Sequence, residues 1–212
     1  MAGVLASANR TTEVIEVRMI ETGTLALVVG SSGAGKDTLI AAARDALARD
    51  QRFLFCRRIV TRAAIAAVED HDSMANAAFI DAEQAGRFFL SWHAHGLRYA
   101  LPMTMTDALR DDRIDIANVS RAVIDAAEAR AAHVVVYSVT APPEVLAKRM
   151  AKRGRESTEV AAARLRRSVD VTTRRAHVIE IDNAGAMALA ADALIKSLVS
   201  LTSRRNEAES AR

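Results

Sequence analysis

Cysteine is nearly absent from this chain: Cys56 is the single one in 212 residues. One thiol excludes an internal disulfide and favours a reducing, cytoplasmic setting. Cys56 lies in an apolar stretch and reads as core rather than as a nucleophile. Aromatic residues are scarce, at 4%, although half of the residues are hydrophobic. Alanine fills much of that half, which predicts abundant, closely packed helices. No run of 18 apolar residues occurs, so no membrane span is expected. No basic region followed by an apolar block opens the chain, so no signal peptide is expected. A large charge excess is missing as well. The net charge of +3 is too small to argue for nucleic acid. Neither an internal repeat nor a low-complexity linker breaks the chain. The length suits one α/β domain with a sizeable core.

What the chain does contain is organised around residues 24–38, TLALVVGSSGAGKDT. A short apolar run ends in a glycine-rich turn, and a helical pattern follows Lys36. That is the strand–loop–helix of a phosphate-binding loop. Gly30, Ser31, Ser32, Gly33, Ala34 and Gly35 would turn backbone N–H groups toward phosphate oxygens, and the helix start would add partial positive charge. Lys36 would reach the β- and γ-phosphates. The pattern asks for Ser or Thr next, as a magnesium ligand. Asp37 stands there instead, and Thr38 comes one residue late.

Strands alternate with helices along the rest of the chain. The pattern predicts an α/β, three-layer fold, with a mostly parallel sheet and helices on both faces. Residues 1–22 read as an extension, 23–202 as one domain built around the phosphate-binding loop and 203–212 as a polar tail. Within the domain, an acceptor-binding region spans about 55–101 and a helical lid about 149–167. Phe53–Val60 reads as one strand. Arg87–Trp92 and His93–Leu101 read as a hairpin around Gly96. Ile114–Val119 reads as a buried strand, with Ser120 capping a helix from Arg121. His133–Thr140 is the most apolar strand, as central parallel strands tend to be.

Three groups of residues carry chemistry. The loop forms the first. A cation needs at least one oxygen ligand from the protein, usually a carboxylate. In common P-loop enzymes an aspartate ends a later strand; here that place holds Asn118. One carboxylate is kept but moved to the loop, so Asp37 is expected to hold Mg²⁺. The second group is Arg149, Arg153, Arg155 and Arg164, with Gly154 between helices. Arginines around a bend suit a lid that neutralises transferring phosphates. The third group is Arg58, Thr61, Arg62, Glu69, Asp70 and His71, with Trp92, His93 and Tyr99 further on. Arg58 and Arg62 suit an anionic acceptor. Tyr99 would donate to a phosphate, and Trp92 would wall a pocket. His93 and His95 lack further ligands at zinc spacing and are not read as a metal site.

These groups follow the order of guanylate kinase-like proteins, which the chain resembles over about residues 24–200. Where a guanylate kinase reads guanine with a serine and an acidic residue, this sequence has Arg58 and His93, which argues against GMP. Gly-Lys-Asp in the loop, Ile-Val-Thr-Arg at 59–62 and Glu-Asp-His at 69–71 are similar to the ribose 1,5-bisphosphate phosphokinases of phosphonate breakdown. So are Ser-Trp-His-Ala-His-Gly-Leu-Arg-Tyr at 91–99, Asn-Val-Ser-Arg-Ala at 118–122 and Arg-Gly-Arg-Glu-Ser at 153–157. The resemblance implies ATP-dependent phosphorylation of ribose 1,5-bisphosphate to 5-phosphoribosyl 1-diphosphate. It implies ATP at Gly30–Thr38, Arg149 and Arg153 closing on the phosphates, and Asn183 near the adenine. Glu69, His71, His93, Asn118 and Arg164 join Arg58, Arg62 and Tyr99 as expected acceptor residues. Partners would be a small sugar bisphosphate, with no nucleic acid and no membrane. The oligomeric state stays open, a homodimer included. A nucleoside monophosphate kinase and a non-catalytic guanylate kinase-like binding module are the alternatives.

Overall fold

The structure is a computed structural model that describes residues 19–62, 71–152 and 171–210. Strand β1, Thr24–Gly30, is buried along its length save for its last residue. It lies at the centre of a five-stranded sheet. Its neighbours are β7 (Ile114–Asn118) and β8 (Val134–Thr140), both parallel to it. Strands β2 (Phe53–Phe55) and β9 (His177–Asp182) complete the sheet as its edges, in the order β2-β7-β1-β8-β9. All the pairs are parallel. Strands covered on both faces need apolar residues at every position, and this is why Leu25–Val29 and Val134–Val139 lack alternation.

Two cores flank the sheet. On one face, helix α1 (Lys36–Leu47) packs with the last helix, Met187–Ser210, through Leu39, Ala43, Leu194 and Leu198. On the other, helix α3 (Met105–Arg110) and helix α4 (Ile124–Glu128) bury Met105, Leu109, Ile124 and Ala127 against Leu25, Leu27 and Val136. The chain is thus α/β in three layers, as the alternation of elements predicts. The last helix runs through most of the expected polar tail, to Ser210.

A second sheet is built mostly from the stretch that the sequence reading expects to bind the acceptor. Its order is β4-β3-β6-β5, with β3 Arg58–Val60, β4 His71–Ser73, β5 Phe88–Ala94 and β6 Leu97–Pro102. The expected single strand Phe53–Val60 is therefore two. Phe53 pairs with Ile114 in the central sheet, whereas Val60 pairs with Tyr99 in the smaller one. The chain changes sheets at Cys56-Arg57. The Cys56 amide donates to Ile116 O at 2.9 Å, and Arg57 Nη2 donates to His71 O at 3.1 Å. Partners distant in sequence decide that break, and no local pattern encodes it. Helix α2 spans Asn76–Gln84 and helix α5 spans Pro143–Lys152.

One buried group sits uneasily in this core. Asp115, fully enclosed in β7, has no hydrogen-bond partner among the described residues on either carboxylate oxygen. Burial pushes its pKa up to about 7, against a smaller lowering by Arg113. The folded protein then keeps a proton that the unfolded chain has already released. Stability falls as pH rises from the ordinary carboxylate range, about 4, toward 7, and levels off above. Asp115→Asn cannot ionise. Its melting temperature relative to wild type is expected to climb by several degrees from pH 5 to pH 8. A constant difference across that range would contradict this account. Nearby, burial and then the charges of Asp115 and Asp72 push the Cys56 thiol up to about 12, which keeps it protonated and inert as a nucleophile.

Candidate active site

The phosphate-binding loop joins β1 to α1 at the C-terminal edge of the central sheet, where α/β folds place their ligands. Gly35 precedes the helix with φ 91°. A Cβ there would stand 2.5 Å from Asn183 Nδ2 and 3.9 Å from Arg149 Nη1, so only glycine fits. Asn183 braces the loop from beneath, its amide donating to Ala34 O at 2.7 Å. Arg149 reaches the same place from α5 and donates to Asn183 O at 3.0 Å. Lys36 folds back over the loop. Its Nζ donates to Gly30 O at 2.7 Å and Ser31 O at 3.1 Å. The ammonium is thus held against the loop's own carbonyls.

The parallel register sets Asn118 level with Val28, so the end of β7 lies beside the loop. Asn118 Nδ2 donates to Asp37 Oδ1 at 2.6 Å. From the smaller sheet, Arg58 Nη2 reaches the same oxygen at 3.3 Å. Both bonds fall on Oδ1, and the Asp37 side chain is 61% exposed, so the carboxylate stays accessible beside Lys36. A hard cation that keeps several waters and phosphate oxygens needs little more from the protein. Asp37 fits that limited demand. Among the described residues no group of three or more His, Cys, Asp or Glu side chains would hold a metal ion by itself.

Between the two sheets opens a cavity of 380 Å³. Its lining includes Gly30, Ser31, Ser32, Lys36 and Asp37 on the donor side. Arg58, Trp92, His95 and Tyr99 line it from the smaller sheet, and Asn118, Ser120 and Arg121 from the end of β7. Trp92 and Tyr99 are paired across β5 and β6 and stack, with ring centroids 5.5 Å apart and planes 9° apart. Both residues line the cavity.

The fold brings the Gly30–Asp37 loop, Arg58, Tyr99 and Asn118 to one place. Thr38 is on the exposed side of α1. His93 does not line the cavity. It is paired with Arg98, and alternation sends both to the face opposite Trp92 and Tyr99. His71 is buried in register with Arg58 and does not line the cavity. Arg62 follows β3 and is outside the lining as well. Asn183, expected near the adenine, is 2% exposed and donates to the loop through its amide. Glu69, Arg153 and Arg164 lie outside the described residues. The residues that the motif reading did not assign are His95, Ser120 and Arg121. The position of Ser120 and Arg121 just past a parallel strand was the available signal.

Similarities to other proteins agree with this geometry. The family model described as Zeta toxin matches residues 9–209. Ribose 1,5-bisphosphate phosphokinase PhnN of Brucella melitensis is 47% identical over 176 residues, which are 83% of this chain and 92% of that protein. The protein of the same name from Methylobacterium radiotolerans is 48% identical, over 83% of this chain and 97% of its own length. Among solved structures, guanylate kinase from Anaplasma phagocytophilum superposes with a TM-score of 0.56 at 18% identity, covering 84% of this chain and 86% of that one. That likeness concerns the fold.

Proposed function

The chain belongs to the ribose 1,5-bisphosphate phosphokinases, and to the family whose model is described as Zeta toxin, and from that premise we propose that it converts ATP and ribose 1,5-bisphosphate into ADP and 5-phosphoribosyl 1-diphosphate. The observation that carries this reading is the cavity itself. It joins a phosphate-binding loop to a pocket lined, among the described residues, by Arg58, Arg121 and the stacked pair Trp92 and Tyr99. A sugar with a phosphate at each end needs cations and a flat surface. A nucleobase needs an edge reader, and in this pocket Arg58 stands where guanylate kinases carry the serine that reads guanine.

The product is a 1-diphosphate, so the nucleophile is an oxygen of the 1-phosphate. It forms a bond to the γ-phosphorus as the bond from that phosphorus to the β–γ bridging oxygen breaks. ADP leaves with the electron pair. The attacking oxygen is already largely ionised near neutral pH, so no strong general base is required. Positioning and charge screening supply the catalysis. Gly30–Gly35 hold the donor phosphates through backbone amides, and Lys36 follows the charge that develops on the transferring group. Arg149, braced on Asn183 O, keeps the loop and α5 in register. Mg²⁺, when bound, screens the donor phosphates, and Asp37 would hold it, oriented by Asn118. Arg153 and Arg164 fit as lid cations, and Arg62 and Glu69 as outer acceptor residues.

Purified protein with ATP and Mg²⁺ tests the reading, offered ribose 1,5-bisphosphate beside GMP, dGMP and AMP. Formation of 5-phosphoribosyl 1-diphosphate is expected, with each nucleotide at least about 100-fold slower in kcat/KM, because binding groups left unpaired penalise the wrong acceptor. Fast phosphorylation of GMP with none of the sugar bisphosphate would overturn it.

A further inference from the structure

An acceptor with two phosphates poses a problem that the loop does not solve: the enzyme must tell the reacting phosphate from the other. Among the described residues two guanidiniums, those of Arg58 and Arg121, line the cavity, and the fold holds them on different elements. Arg58, on β3, is tied to Asp37, the residue next to Lys36, and so belongs to the reacting end. Arg58, Val60, Tyr99 and Trp92 share one face of the smaller sheet by alternation and pairing. Strand β6 separates β3 from β5, which puts β5 about 10 Å from β3 across the sheet. The turn opened by Arg121 packs on β5. Its backbone is set by Ser120, whose Oγ accepts from the Ala122 amide at 3.3 Å. At the far end of β5 the hairpin tip brings His95 to the lining, with φ 54° releasing it from the alternation that turns His93 away. Tyr99 on β6 and Trp92 on β5 lie across the sheet from Arg58, on the side of the Arg121 turn.

We propose that Arg121, assisted by His95, forms a separate subsite for the acceptor's non-reacting 5-phosphate, while Arg58 serves the reacting 1-phosphate. The proposal rests on the function assigned above. The sugar ring would lie along the Trp92–Tyr99 pair with one phosphate toward Lys36 and the other toward the turn after β7. Specificity for a bisphosphate then arises from the separation of two cations, and an acceptor lacking either phosphate forfeits one of them.

Arg121→Met tests the division with two monophosphate probes as competitive inhibitors. Ribose 5-phosphate carries only the distal phosphate, and ribose 1-phosphate only the reacting one. In the variant, KM for ribose 1,5-bisphosphate and Ki for ribose 5-phosphate are expected to rise together by about 10- to 100-fold, the worth of a charge-assisted hydrogen bond. Ki for ribose 1-phosphate and Kd for ATP should stay within about twofold of wild type, which also shows that the variant folds. His95→Ala should move the same two constants by a smaller factor. Arg58→Met should give the reverse pattern, and Arg121→Lys should recover part of the loss. A rise in Ki for ribose 1-phosphate in Arg121→Met, or no change in either inhibitor, overturns the subsite while the assigned function stands. Absence of wild-type turnover with ribose 1,5-bisphosphate overturns the function and the subsite with it.

Discussion

Lys36→Ala is expected to lower kcat by about 1,000-fold, because it removes a fixed positive charge from the place where charge develops on the transferring phosphoryl group. ATP affinity should fall by only about 10-fold, since the backbone amides of the loop and the start of α1 remain. The split between the two constants is the informative readout. In the structure the Lys36 ammonium bonds two loop carbonyls, Gly30 O and Ser31 O, so it also ties the loop. A purely structural role would disturb nucleotide binding and turnover alike. Lys36→Arg separates the two ideas further. It keeps the charge but replaces a compact ammonium with a planar fork, and the fork does not fit a cradle built for a point charge. It should restore ATP binding more than turnover. Single-turnover kinetics and a nucleotide titration measure both effects. Wild-type turnover in Lys36→Ala would remove the loop from the donor site.

The loop was legible because its signal is local: an apolar strand, glycines at fixed offsets and a helix follow one another without interruption. Asp37 and Asn118 were legible as a pair of departures from the common pattern, and the structure sets them within hydrogen-bonding distance. The hairpin was legible from Gly96, but the phase of its alternation was not. Trp92 and His93 are neighbours with opposite faces, and either one, read alone, suits a pocket. The packing of Trp92 on Leu90 and Leu101 decides between them. His95 escapes the alternation only through a positive φ, which no composition rule anticipates at a histidine. Phe53–Val60 looks continuous because both halves are apolar. Its division between two sheets depends on Ile114 and Tyr99, each remote in sequence. Arg121 was hidden inside a recognised run of residues, where nothing local separates it from an ordinary exposed arginine of a helix.

The carboxylate swap offers the sharpest test of the site. Asn118 Nδ2 donates to Asp37 Oδ1 at 2.6 Å, so the two side chains occupy adjoining corners of one small space. Common P-loop enzymes put a hydroxyl in the first corner and a carboxylate in the second; this chain puts a carboxylate in the first and an amide in the second. Asp37→Ser removes the only carboxylate of the pair. It is expected to lower turnover by about 100-fold and to raise the Mg²⁺ concentration for half-maximal rate, because the cation loses its charged protein ligand. Asn118→Asp alone sets two carboxylates at hydrogen-bonding distance, where like charges oppose each other and Asp37 loses its donor. That variant should lose activity too, by a smaller factor at low pH, where one carboxylate can take a proton. The double variant Asp37→Ser/Asn118→Asp returns the pair to one hydroxyl and one carboxylate. If the two positions share a single metal-holding task, the double variant recovers at least about tenfold over Asp37→Ser, a coupling well beyond the additivity of independent sites. Its Mg²⁺ dependence should move back toward wild type. Additive losses in the double variant, with an unchanged Mg²⁺ requirement in each single one, would reduce Asp37 to the anchor that orients Arg58.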